Sequence, residues 1–158
     1  MAMAAITLHP IGRVHSPRIE AEDDFWGNVI SFIELDSTRF TPESVLGLSD
    51  FSHLLVIFHL DRVPDSSVVS AASHPRGNLD WPRIGIFAQR KKQRPNKLGV
   101  SICELLQVDG LKLKVKALDA IEGTPVLDIK PYVREFEPDP AQVRQPQWMT
   151  ELMRDYFS

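Results

Sequence analysis

Between two apolar runs, the stretch GIFAQRKKQRPNKLGVS (Gly85 to Ser101) sets Arg90, Lys91, Lys92, Arg94 and Lys97 within eight residues. Clustered guanidinium and ammonium groups bind phosphates, and the interleaved Gln89, Gln93 and Asn96 carry amides that can hydrogen-bond bases, sugars or backbone. A solvated surface loop would have the same composition, so the run by itself leaves both readings open. A second stretch, LDAIEGTPVLDIKPY (Leu118 to Tyr132), holds Asp119, Glu122 and Asp128 in a nearly apolar frame. If Asp119 and Asp128 converge at a pocket rim, a carboxylate there can hold a cationic ligand or take a proton. The structural alternative makes Glu122-Gly123-Thr124-Pro125 a turn between strands, and Asp128 with Lys130 a salt pair across strands.

Other chemistries find little support. His9, His15, His53, His59 and His74 lack the spacing of metal ligands, and the single cysteine, Cys103, removes both an internal disulfide and a cysteine-rich zinc site. Its apolar neighbours predict a buried thiol, which suits a reducing cytoplasm. No Gly-rich phosphate loop, nucleophile elbow or dinucleotide fingerprint occurs, which argues against nucleotide hydrolysis, serine hydrolysis and a Rossmann methyltransferase. The net charge of −3 argues against nucleic-acid binding by the whole surface, although a local cationic patch can focus a field that the total hides. The beginning, MAMAAITLHP, lacks the features of a signal peptide, and the longest apolar run, LLVIF, is far short of the ~20 residues that span a bilayer. The expectation is a soluble, cytoplasmic protein.

The elements that must position these residues are mostly strands. At 158 residues the chain suits one domain, and its 12 prolines imply irregular connections. LKLKVKAL alternates Leu111, Leu113, Val115 and Ala117 with Lys112, Lys114 and Lys116, the pattern of a strand with one wet face. Asp109-Gly110 before it suits a tight hairpin turn to GVSICELLQV. AITLHPIGRV, NVISFIEL, HLLVIFHL, RIGIFA and PVLDIKPYV are further strand candidates, with His53 and His59 on the strand face of Leu55 and Ile57. So many short strands predict a mainly β protein, a single closed or nearly closed antiparallel-rich barrel over residues 1–140. Thr41-Pro42-Glu43 predicts a short helix to about Leu48. Residues 141–158 read as a proline-rich tether and a helix from Pro146, whose stripe of Trp148, Leu152 and Tyr156 packs on the barrel or on a second subunit.

Four blocks in order, IGRVHSP, LSDFSHLLVIFHL, GIFAQRKKQRPNKLGVS and LDAIEGTPVLDIKPY, resemble the TsaA/TrmO-like (YaeB-like) family of S-adenosylmethionine-dependent methyltransferases, over roughly Ile6 to Glu137. The resemblance implies a β-barrel that binds S-adenosylmethionine without a Rossmann sheet, a homodimer, and a tRNA substrate methylated at N6 of threonylcarbamoyladenosine beside the anticodon. It implies cofactor contacts at Arg90, which matches the arginine of FATR, at Val100 beyond RPN, and at Lys116, Ala117, Leu118 and Asp119 before the DGTP-like turn. Asp61 and Arg62 stand where members carry a His-Gln pair, and Asp24, Phe25 and Trp26 are nearest to a Pro-Arg-Gln triplet. Asp128 and Glu122 become candidate bases, while Lys91, Lys92, Arg94, Asn96 and Lys97 become candidate RNA contacts, with no metal required. The altered triplet and pair also admit a methyltransferase of the same fold acting on a small molecule or another RNA, or a non-enzymatic module that binds the cofactor or RNA.

Overall fold

The computed structural model describes all 158 residues. Its centre is a closed barrel of six antiparallel strands: β1 (Gly12–His15), β2 (Ile30–Leu35), β3 (His53–His59), β6 (Leu98–Asp109), β7 (Lys112–Lys116) and β8 (Pro125–Pro131). Around the wall the order is β1-β2-β7-β6-β3-β8, and β8 returns to β1 through Gly12 opposite Val126 and Arg13 opposite Pro125. A separate two-stranded sheet, β4 (Ala72–Ser73) with β5 (Ile84–Gly85), is inserted between β3 and β6. The one α-helix, α1 (Gln147–Leu152), follows the proline-rich segment.

Alternation decides the wall. Leu54, Val56 and Phe58 of β3 point inward, as do Leu113 and Val115 of β7, and with Val14, Ile33, Leu35, Cys103 and Val126 they fill the barrel. His53, Leu55, Ile57 and His59 share the half-buried outer face of β3, as the alternation predicts. The β6–β7 hairpin turns at Gly110, whose φ of +56° suits the first central position of a two-residue loop. Leu111 packs against the core as expected, but Ala117 departs from the predicted face. Leu111 sits in the turn, and Ala117 adopts φ +67°, which ends the alternation and sends Leu118 into the core instead.

Four expected elements come out differently. AITLHPIGRV gives a strand only at Gly12–His15, and residues 1–10 are exposed. RIGIFA gives two strand residues and then a tight 3-10 turn at Ile86–Ala88, because Gln89 folds back onto the carbonyls of Ser73 and Ile84. The predicted helix from Thr41 divides into 3-10 turns at Pro42–Val45 and Leu48–Asp50, separated by Gly47 at φ +83°. The Trp148, Leu152 and Tyr156 stripe is likewise cut, since α1 ends at Leu152 and Tyr156 sits in the turns beyond it.

Ser31 faces the core from β2 with no exposure, and its hydroxyl has no hydrogen-bond partner. A buried unpaired hydroxyl carries a desolvation cost that no bond offsets. Ser31→Ala is therefore expected to raise stability by about 1 kcal/mol, read as a higher denaturant midpoint with an unchanged slope.

Candidate functional site

Asp119 lies two residues past the left-handed turn at Ala117, where β7 has ended. Its Oδ2 accepts a hydrogen bond from the Tyr156 hydroxyl, and its Oδ1 is buried without a partner. Tyr156 has its phenol pKa raised, first by desolvation and then by the Asp119 charge, so it stays protonated and donates. Arg90 and Arg76 act on the same phenol by their positive charge. Beneath, Cys103 is buried in the barrel and its thiol is pushed up to about 12 by desolvation and by Asp119. It is a neutral core group and no nucleophile.

Two predicted cofactor positions meet here: the Arg90 guanidinium donates to the Val100 carbonyl at 3.3 Å. Val100 itself lies on the outer face of β6 opposite Ile57. Lys116 ends β7 opposite Ile30, and the Ala117 N–H is engaged by the Val29 carbonyl at 2.9 Å. Leu118 is fully buried, so its side chain contributes packing beneath the site. Asp24, Phe25 and Trp26 form a braced corner. Arg76 pairs with both Asp24 oxygens, at 2.8 and 3.1 Å, and that hydrogen bonding raises its own pKa. Arg18 donates to the Asp24 and Phe25 carbonyls and lies 4.3 Å above the Trp26 ring.

The other predicted residues bond partners other than Asp119. Glu122 accepts from the Ser16 N–H at 2.6 Å and faces His15 Nδ1 at 3.2 Å, while His15 Nε2 faces Glu34 at 2.7 Å. The Ser16 bond first, then His15 and Arg62, lower the Glu122 pKa and weaken it as a base. Arg62 lies over Gly123 and donates to the Ile19 carbonyl, whereas Asp61 is exposed in the turn after β3. Asp128 bonds its own neighbour, the Ile129 N–H, and Lys130 stands 3.4 Å away in the same strand, so this pair is not a cross-strand one. Asp119 and Asp128 share no bonding partner.

Much of the cationic run holds its own loop together. Arg94 donates to the Gln89 and Lys91 carbonyls, Lys91 to the Ser73 hydroxyl, and Lys97 to the Val63 carbonyl and the Asp65 carboxylate. The Lys97 side chain is only 14% exposed, and it lowers the Asp65 pKa. Lys92 is half-buried and Asn96 is exposed at the tip. Sequence reasoning missed Tyr156 as a partner of Asp119 and Arg76 as the brace of Asp24. In each pair the partners stand far apart in the chain, 37 and 52 residues, with no local pattern to join them.

Residues 20–138 match the family described as tRNA-methyltransferase O N-terminal domain. The chain belongs to this family. A Pyrococcus abyssi protein named "Probable S-adenosyl-L-methionine-binding protein" is 34% identical over 84% of this chain and 71% of its own length. The tRNA (adenine(37)-N6)-methyltransferase of Escherichia coli is 40% identical over 58% of this chain, a stretch that is 40% of the bacterial enzyme. A crystal structure of TrmO from Pseudomonas aeruginosa superposes with a TM-score of 0.74 at 26% identity, covering 93% of this chain and 63% of that one. The chain thus spans less than half of the Escherichia coli relative and under two thirds of the solved one.

Because Glu122 has a lowered pKa, the sign of its linkage is fixed. Its contribution to stability is complete above the ordinary glutamate value of 4.5 and is lost as pH falls through the lower folded-state value. Glu122→Gln is therefore expected to flatten the loss of thermal stability on acidification below 4.5. Melting curves of both proteins across that range check this, and parallel curves would contradict it.

Proposed function

We propose that this protein is an S-adenosylmethionine-dependent methyltransferase acting on tRNA, at N6 of threonylcarbamoyladenosine beside the anticodon. The observation that carries the cofactor part is the unpartnered Oδ1 of Asp119, a buried acceptor at the barrel end where Arg90 and Val100 also meet. A carboxylate in that setting fits the hydroxyls of a ribose, and its charge favours a sulfonium nearby. The relatives named for adenine(37)-N6 methylation and for S-adenosylmethionine binding support the substrate and the donor. Bound there, the cofactor supplies an electrophilic methyl group.

The reaction is an in-line displacement, so the chain has to align groups and keep water out, with no covalent nucleophile. Asp119 would anchor the sugar hydroxyls, and Arg90, fixed against the Val100 carbonyl, would fix the loop side of the donor. The backbone around Lys116 to Leu118 would line the adenosine end, with Asp61 and Arg62 at the rim. The acceptor N–H releases a proton, and Asp128, 49% exposed, suits this role better than Glu122, whose pKa is lowered. Lys92, Asn96 and the outer parts of Lys91, Arg94 and Lys97 would face the RNA. The inward bonds of Arg94 and Lys97 leave fewer free cations than composition promises, which favours a second reading, a small-molecule acceptor on the same barrel.

Incubation of the protein with labelled S-adenosylmethionine and total tRNA, followed by nucleoside analysis, is expected to yield N6-methylated threonylcarbamoyladenosine. Label in no nucleoside would refute the tRNA reading. Asp119→Asn is expected to weaken S-adenosylmethionine binding by about 10- to 100-fold, the worth of hydrogen bonds to a charged group.

The assembly would be a homodimer. Leu98, Val100 and Ile102 form an outward apolar row on β6, 40–43% exposed, and Phe87 of the insert is 81% exposed. Such a row on a rigid wall suits a two-fold contact with its own copy. Sedimentation is expected to show a dimer for the parent chain and a monomer for Ile102→Glu, and a monomeric parent would refute the assignment. No helix is long and apolar enough to cross a membrane, and a tRNA substrate would put the protein in the cytoplasm.

A further inference from the structure

The C-terminal segment, residues 146–158, lies beyond the matched family domain yet reaches the residue at the centre of the site. Tyr156 donates its hydroxyl to Asp119 Oδ2, and Oδ1 is buried and unpaired, so a hydroxyl arriving from solvent meets the phenol at Oδ2 and finds Oδ1 covered. A carboxylate bonded on one oxygen and desolvated on the other is under-satisfied. Two neighbouring hydroxyls, as on a ribose, can bond both oxygens at once and so outbid a single phenol.

The segment is attached in a way that permits release. Its anchors are the Phe25 and Trp26 N–H groups, which donate to the Asp155 and Tyr156 carbonyls at 3.0 and 2.8 Å, and the Trp81 indole, which donates to Glu151 at 2.9 Å. Helix α1 has no fully buried residue, and Trp148, Met149 and Leu152 are only half-buried, so partial apolar cover rather than a sealed core holds it. The seat is nonetheless shaped for it. A Cβ on Gly27 would stand 1.9 Å from the Phe157 carbonyl oxygen, so glycine is needed for the two backbones to approach this closely.

We propose that residues 146–158 are a strap over the donor site, in which the Tyr156 hydroxyl occupies the place of a ligand hydroxyl on Asp119 and must leave before S-adenosylmethionine binds. This rests on the reading of Asp119 as the acceptor for the ribose. The apparent affinity is then lowered by the fraction of molecules whose strap is closed, and loosening the strap raises it.

Calorimetry with S-adenosylmethionine tests this. Tyr156→Phe is expected to tighten binding on the order of tenfold, since the competing bond to a charged group is gone. Glu151→Ala, which frees the Trp81 anchor without touching Asp119, is expected to tighten it by a smaller factor and serves if Tyr156→Phe folds poorly. In the parent chain, the Phe25 and Trp26 amides, which donate to the strap, are expected to exchange faster when S-adenosylmethionine is added. Unchanged or weaker binding in both variants, or slower exchange of those amides, overturns the strap. Asp119→Asn separates the two failures. If it abolishes binding while neither strap variant tightens it, only the strap is refuted. If it binds like the parent chain, the reading of Asp119 falls and the strap falls with it.

Discussion

Closure of the sheet on itself governs where everything else can be. Pairing of Gly12 with Val126 and Arg13 with Pro125 joins the first strand to the last, leaving no open edge in the barrel wall. Pro125 has no N–H to give, and it stands at the first position of β8, where a missing donor is tolerated. Once closed, a barrel of this size has an interior filled by side chains, so a ligand site must be built at its rim or on its outer face. The break in β7 builds such a rim. The positive φ at Ala117 turns Leu118 inward as a plug and leaves Asp119 above it, with the neutral thiol of Cys103 below.

The rim is then crossed by polar contacts from distant parts of the chain. Arg76 arrives from the insert between β3 and β6, Arg18 from the segment after β1, and Tyr156 from beyond the barrel. Asp24 gains two charge-assisted bonds from Arg76 in one geometry, which fixes a corner that would otherwise be a loop without regular structure. Trp26, 3% exposed, locks the same corner by burial. Position at this site is thus set by long-range polar bonds laid on a hydrogen-bonded barrel wall.

The wall was readable because its physics is local. Alternation in LKLKVKAL and the inward Leu54, Val56 and Phe58 follow from period two and one buried face, and the hairpin turn falls one residue later than expected, at Gly110-Leu111. The family blocks single out Arg90 and Val100 one by one, and the bond from the Arg90 guanidinium to the Val100 carbonyl is added by the fold. What stayed hidden depended on partners far along the chain. Asp119 could be singled out as a carboxylate in an apolar frame, but nothing near it announces that a phenol 37 residues later takes one of its oxygens. Short elements were misjudged for a related reason. In RIGIFA the side chain of Gln89 competes for the Ser73 and Ile84 carbonyls and ends the strand after two residues.

The cationic run shows why charge density is a poor guide to what charge does. An ammonium or guanidinium near a surface can bond water, a phosphate or the backbone carbonyls of its own loop, and the last choice needs no partner to diffuse in. Residues 89–97 take it repeatedly: Arg94 closes the loop onto Gln89 and Lys91, and Lys97 closes it onto Val63 and Asp65. The Gln93 carbonyl accepts from Val69 and ties the same loop to the β3–β4 connection. A loop with five like charges would repel itself open, and carbonyl and carboxylate acceptors offset that repulsion at short range. Its first physical consequence is rigidity at Arg90, which keeps the guanidinium against the Val100 carbonyl. Any grip on phosphate must come from the donors left over, and these sit on a frame the same charges have already made stiff.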